Sequence, residues 1–138
     1  MYPSHYPQAL AEQADMLSAD STMQRIATHH IYEYEKGIRY LVLCTLSHAD
    51  CQAIIPKLQG RGIAYYCKAT PGGNKTNLFF GRSACIETVR RLLERKDLHE
   101  LGHEEDFIIG AMLGYDLCGQ CERYLGRLCQ SPSQASTA

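Results

Sequence analysis

Cys118 and Cys121 have two residues between them, the spacing at which two thiols can close a disulfide or supply half of a zinc site. A redox dithiol needs its first cysteine at a helix N-terminus that follows a strand, where the dipole stabilises the thiolate. The residues leading into Cys118 read as helical instead, and Asp116 opposes a thiolate by its charge. Buried or incidental thiols are therefore the default reading of the pair. A structural zinc site needs two close ligand pairs. The second pair would be His29 with His30, or Cys129 with His103, and neither has the usual loop spacing.

Three other groups have the right residue types for chemistry. Glu104, Glu105 and Asp106 are consecutive, whereas paired catalytic carboxylates must converge across a cleft. Three acids at the start of an apolar run suit the positive end of a helix dipole better. Gly72-Gly73-Asn74-Lys75 offers backbone amides and a lysine to an anion. It lacks the strand-loop-helix setting of a phosphate loop, so a hairpin turn is expected. No serine is placed to act as the nucleophile of a Ser-His-Asp set. Cys44, Cys51, Cys67 and Cys85 have apolar neighbours and read as buried small hydrophobes.

The element around which the rest is built runs from His103 to Leu128. Phe107, Ile108, Ala111, Met112 and Tyr115 fall on one helical face. Gly114 is expected to end that helix and Asp116 to cap the next, along which Leu117, Cys121, Tyr124 and Leu128 form a second stripe. The pair reads as a helical hairpin or a kinked helix. Gly110, Gly114, Tyr115 and Tyr124 are the candidate interface residues, since glycines one turn apart mark close backbone approach.

Upstream, Gly37–Leu46 is the clearest strand, with Ile38, Tyr40, Val42, Cys44 and Leu46 on one face and Leu41 and Leu43 on the other. Ile31–Lys36 suits a helix ended by Gly37, with an extended segment as the alternative. Ser47 caps a helix with Asp50 as the return partner, and Cys51, Ile54, Ile55 and Leu58 are its inner stripe, with Pro56 removing one hydrogen bond. Ile63–Ala69 and Thr76–Gly81 form a hairpin around Thr70–Lys75. Ser83–Arg95 is a helix facing inward through Cys85, Val89 and Leu92 or through Ile86, Val89 and Leu93. The class is α+β: a three-stranded sheet in β-α-β-β-α order packed with helices, then a C-terminal helical pair. The first and second strands are parallel neighbours or span a third.

The chain of 138 residues is expected to form one domain over 25–129, with a weakly ordered arm over 1–24 and a disordered tail over 130–138. Apolar residues make up 45% and charged residues 21%, and the net charge is −1. Nucleic-acid and anionic-membrane binding normally demand a basic surface, so neither is expected. Seven cysteines, an odd count without an export signal, argue against a disulfide framework and for the cytosol.

The segments HHIYEYEKGIRYLVLCTL, NLFFG, EEDFIIGAMLGYD and QCERYL together resemble domain of unknown function family 2023, a small bacterial family, over roughly His29 to Leu128. The resemblance implies three strands, five helices and a homodimer. It also implies a gene neighbourhood shared with a flavodoxin, which suggests a redox protein as partner. It supplies no catalytic residue and no cofactor. The leading expectation is a non-enzymatic, homodimeric protein-interaction or accessory module. A small-molecule effector-binding regulatory domain and a zinc or redox protein using Cys118 and Cys121 are the alternatives.

Overall fold

The computed structural model describes residues 8–130, with side chains described from residue 22 onward. The first seven residues of the expected arm, and all of the expected tail except Gln130, lie outside the described residues. The elements in chain order are α1 (Gln8–Glu35), β1 (Leu41–Leu46), α2 (His48–Gly60), β2 (Ala64–Ala69), β3 (Thr76–Gly81), α3 (Ser83–Leu93), α4 (His103–Met112) and α5 (Leu117–Gln130). A short 3-10 turn, Leu98–Glu100, links α3 to α4. The α+β class and the order of elements are as the sequence implied.

The strand order is β1-β3-β2, with β3 antiparallel to both neighbours. β1 and β2 therefore run parallel on either side of β3, the second of the two arrangements expected. Consecutive phenylalanines on β3 show how the layers form. Phe80 points into a core with Ala27 and Ile31 of α1 and Cys51, Ile54 and Leu58 of α2. Phe79 points the other way, into a core with Ile86, Val89 and Leu93 of α3 and Ile109 and Leu113. Alternation along a strand sends neighbours to opposite faces, so a sheet covered on both sides needs apolar residues at every position. Val42, Cys44 and Leu46 share the first core and Leu41 and Leu43 the second, as the β1 pattern requires.

β1 begins later than expected. Gly37 adopts φ +78°, and its N–H donates to the Tyr34 carbonyl (3.0 Å) while that of Ile38 donates to Glu33 (2.9 Å). This closure satisfies the last carbonyls of α1 and uses Gly37 and Ile38, so the chain joins the sheet only at Leu41. Ile38 and Tyr40, expected to face inward, are 67% and 56% exposed as a result.

Ser47 caps α2 by accepting from the Asp50 N–H at 3.2 Å. Asp50 does not return the bond. Its buried carboxylate accepts from Gln24 Nε2 at 2.9 Å and so ties α2 to α1. In α4 the buried residues are Ile109 and Gly110, followed by Leu113 just past its end. Of the expected face of Phe107, Ile108, Ala111, Met112 and Tyr115, Met112 packs against the second core while Ile108, Ala111 and Tyr115 are exposed, because the helix is turned so that Ile109 covers α3 and the sheet. The α4–α5 connection is a true hairpin. Gly114 takes φ +76°, and Asp116 Oδ2 accepts from the Gly119 N–H at 3.2 Å at the start of α5.

Candidate functional site

A cleft of about 590 Å³ opens between the end of α1, the turn into β1 and the end of α4. Its polar wall is His30, Glu33, Arg39 and Tyr40, and its apolar wall is Ile38, Ala111, Met112 and Leu113. His30 and Glu33 are one helical turn apart on α1, and the Gly37 turn folds Arg39 back against them. His30 Nδ1 lies 2.8 Å from Glu33 Oε1 and 3.0 Å from Arg39 Nη1. His29 Nε2 approaches the same carboxylate at 3.8 Å.

One nitrogen cannot both donate to Glu33 and accept from Arg39. The carboxylate decides which it does. The hydrogen bond from His30 holds the Glu33 carboxyl below its ordinary range, reinforced by the field of Arg39. An ionised carboxylate only accepts, so we assign the Nδ1 hydrogen of His30 to its contact with Glu33. With that tautomer Arg39 Nη1 faces a donor rather than an acceptor, so its N–H groups are not taken up by His30.

Beside the cleft, the Lys36 ammonium sits 5.3 Å from the centre of the Tyr32 ring, and Arg82 lies 4.4 Å from that of Tyr40. Both rings are more than half exposed.

Cys118 and Cys121 lie in the first turns of α5, exposed and half-buried respectively. Among the described residues, the His, Cys, Asp and Glu side chains close enough to share a cation are Asp97, His99 and Glu100, which include neither cysteine. Lys68 weakens that cluster as a cation site. Its ammonium lies 3.7 Å from Asp97 and donates to the carbonyls of Leu93 and Lys96, closing the end of α3. Glu100 in turn accepts from the Asp97 N–H at 3.3 Å.

The three acids of α4 are helix ties. Glu104 accepts from the Tyr124 hydroxyl (3.1 Å), and Glu105 from Lys96 (2.8 Å) and the Gly102 N–H (3.0 Å). Asp106 receives Arg123 and Arg127 at 3.3 and 3.0 Å.

The candidate interface residues divide. Gly110 is buried, and a Cβ there would come within 2.5 Å of Gln120 Oε1, so its smallness serves the α4–α5 contact within one chain. Gly114 supplies the left-handed turn and lines the cleft. Tyr115 is 49% exposed, and Tyr124 packs its ring 5.6 Å from that of Phe107.

Two placements were not legible in the sequence. Cys51 and Cys67 bring their sulfurs to 3.8 Å across α2 and β2. Burial pushes both thiols up, Cys67 to about 12, so these are inert core groups near neutrality. His48 bridges Thr76 Oγ1 (2.6 Å) and the Gly73 carbonyl (2.7 Å), pinning the hairpin turn to the start of α2. The turn itself closes through Gly73 N–H to Thr70 and Thr70 N–H to Lys75, with Gly72 and Gly73 at positive φ.

The family model described as protein of unknown function (DUF2023) matches residues 25–127. The chain belongs to the DUF2023 family. The matched span of this DUF2023 protein includes every residue named in the cleft and all three strands. No curated protein matches the chain at a significant level. Among the described residues, no helix is long and apolar enough to cross a membrane.

Proposed function

We propose that this DUF2023 protein is a non-enzymatic homodimeric module that acts through protein contacts, with β2 as the seam between copies. The observation that carries the reading is the contrast between the two edge strands. Four of the six residues of β1 are buried, whereas none of β2 is. An edge strand presents unpaired N–H and C=O groups to a further strand. Two copies of β2 related by a two-fold axis would pair antiparallel and join two three-stranded sheets into one of six strands, which closes the symmetry. Gly110 and its neighbours are a poorer seam, because Gln120 of the same chain already covers Gly110.

The test is sedimentation equilibrium combined with hydrogen exchange. A dimer with slowed exchange along β2 is expected. Tyr66→Lys, which sets like charges near one another across the two-fold axis, should weaken it roughly tenfold or more. A monomer at about 100 μM, or a dimer whose β2 amides exchange freely, would sink the seam.

The family resemblance makes a flavodoxin or another redox protein the heterologous partner to titrate first. A flat isotherm at low salt would remove it. A second reading, a small-molecule effector domain, is supported by the Arg39 cleft, which offers both signs of charge beside an apolar wall.

A further inference from the structure

We propose that the cleft between α1 and α4 binds an apolar α-amino acid, through Arg39 to its carboxylate and through Glu33 to its ammonium. The proposal rests on the effector-domain reading and does not depend on whether the chain dimerises.

The positive end of the site is Arg39. It is half-buried and makes no ion pair with a carboxylate among the described residues, because His30 presents Glu33 with its own hydrogen and stands between the two charges. A planar guanidinium with free N–H groups is matched to a carboxylate.

The negative end has two parts. Glu33 Oε1 takes His30, and the remaining oxygen has acceptor capacity. The C-terminus of α4 is the other part. The N–H groups of Leu113, Gly114 and Tyr115 are spent on the carbonyls of Ile109, Ala111 and Gly110. The Met112 and Leu113 carbonyls receive no backbone donor among the described residues, and a helix C-terminus carries partial negative charge.

These charges choose the ligand class. A lone cation meets Arg39, a lone anion meets Glu33 and the helix end, and a neutral apolar molecule leaves both charges unanswered. A zwitterion answers both. Its span is also set: Arg39 Nη1 and Glu33 Oε1 touch the same nitrogen at 3.0 and 2.8 Å, so the two sites are close neighbours. Amino and carboxyl groups on one carbon fit that spacing, and a long ω-amino acid does not. Ile38, 67% exposed, and Met112 supply the surface for an apolar side chain. The volume of about 590 Å³ lies in the ordinary range for small-molecule sites.

Calorimetric titration of the full chain tests the proposal, using leucine, leucinamide (ammonium only) and isocaproate (carboxylate only). Leucine is expected to bind with Kd on the order of 0.1–1 mM, given its few heavy atoms, and each half-ligand at least about tenfold more weakly. Glu33→Gln should weaken leucine about tenfold without weakening isocaproate, and Arg39→Gln should weaken leucine about tenfold without weakening leucinamide. No heat from leucine, valine, methionine or phenylalanine at about 10 mM would overturn the proposal. Equal binding of leucine and both half-ligands would do so too, since it would show an apolar surface without charge recognition. The ligand series on the unmodified protein decides the matter even if a variant fails to fold.

Discussion

Gly81 ends the central strand at φ +154°, and a Cβ there would overlap the Tyr40 carbonyl oxygen. Gly81 pairs with Leu41 on one side and Ala64 on the other, so all three strands meet at this residue. That close approach admits no side chain without moving β1. Gly81→Ala should therefore cost about 3 kcal/mol or more in a denaturant titration. Gly114 takes φ +76° with nothing within 4 Å of a Cβ, so only the backbone conformation resists substitution. Gly114→Ala should cost about 1 kcal/mol, and equal losses at the two sites would refute the steric argument. The thiols divide in the same local way. Burial raises Cys44 to about 11 and Cys67 to about 12, from 9.0 when free. The unfolded chain releases these protons from about pH 9 while the folded chain keeps them, so stability should fall as pH rises above 9. Mass mapping after brief alkylation near neutrality should find exposed Cys118 and Cys129 modified and Cys44, Cys51 and Cys67 intact.

Among the elements, β3 and α5 are the extremes. β3 is central, and Phe79 and Phe80 are both 0% exposed in separate cores. Phe79→Ala and Phe80→Ala should each cost roughly 3–5 kcal/mol, by emptying space on opposite faces of one strand. A loss at only one position would show that one helical layer is dispensable. α5 has no fully buried residue and is held to α4 by Asp106 with Arg123 and Arg127, the Tyr124–Glu104 bond and the Phe107 ring. Its amides should exchange with solvent well before those of β3, because few apolar contacts must break to open it. Equal protection of α5 and β3 by hydrogen exchange would contradict that ranking.

For the molecule as a whole, acid should weaken the ties at the end of α1 and between the end of α3 and the start of α4. Hydrogen bonds and ion pairs hold Glu33 and Glu105 below 4.5, His30 being the first cause for the one and Lys96 for the other. A carboxylate held low stabilises the fold above its unfolded value and ceases to do so as pH falls through its folded one. Denaturation midpoints measured downward from pH 6 should therefore decline from about 4.5, with a smaller decline in Glu105→Gln. An unchanged profile in that variant would place the acid sensitivity elsewhere.

The sequence by itself determined the elements whose signals are local. Apolar residues on both faces made the stretch ending at Leu46 a strand covered on both sides, although it begins at Leu41 rather than Gly37; Ser47 announced α2, Thr70 to Lys75 announced the hairpin, and Gly114 with Asp116 announced a hairpin or a kinked helix. These depend on hydrogen bonds and backbone preferences within a few residues, which neighbouring letters state directly. The tertiary structure decided what meets what. It set β3 between β1 and β2, turned Ile109 rather than Ile108 inward, and gave Asp50 to Gln24 instead of to its own helix cap. It brought Cys51 to Cys67, and folded Arg39 back onto a histidine nine residues earlier opposite a helix that begins at residue 103. Periodicity reports that a face is buried and not against which partner. That choice is a sum over many weak contacts distant in the chain, and only the folded packing evaluates it.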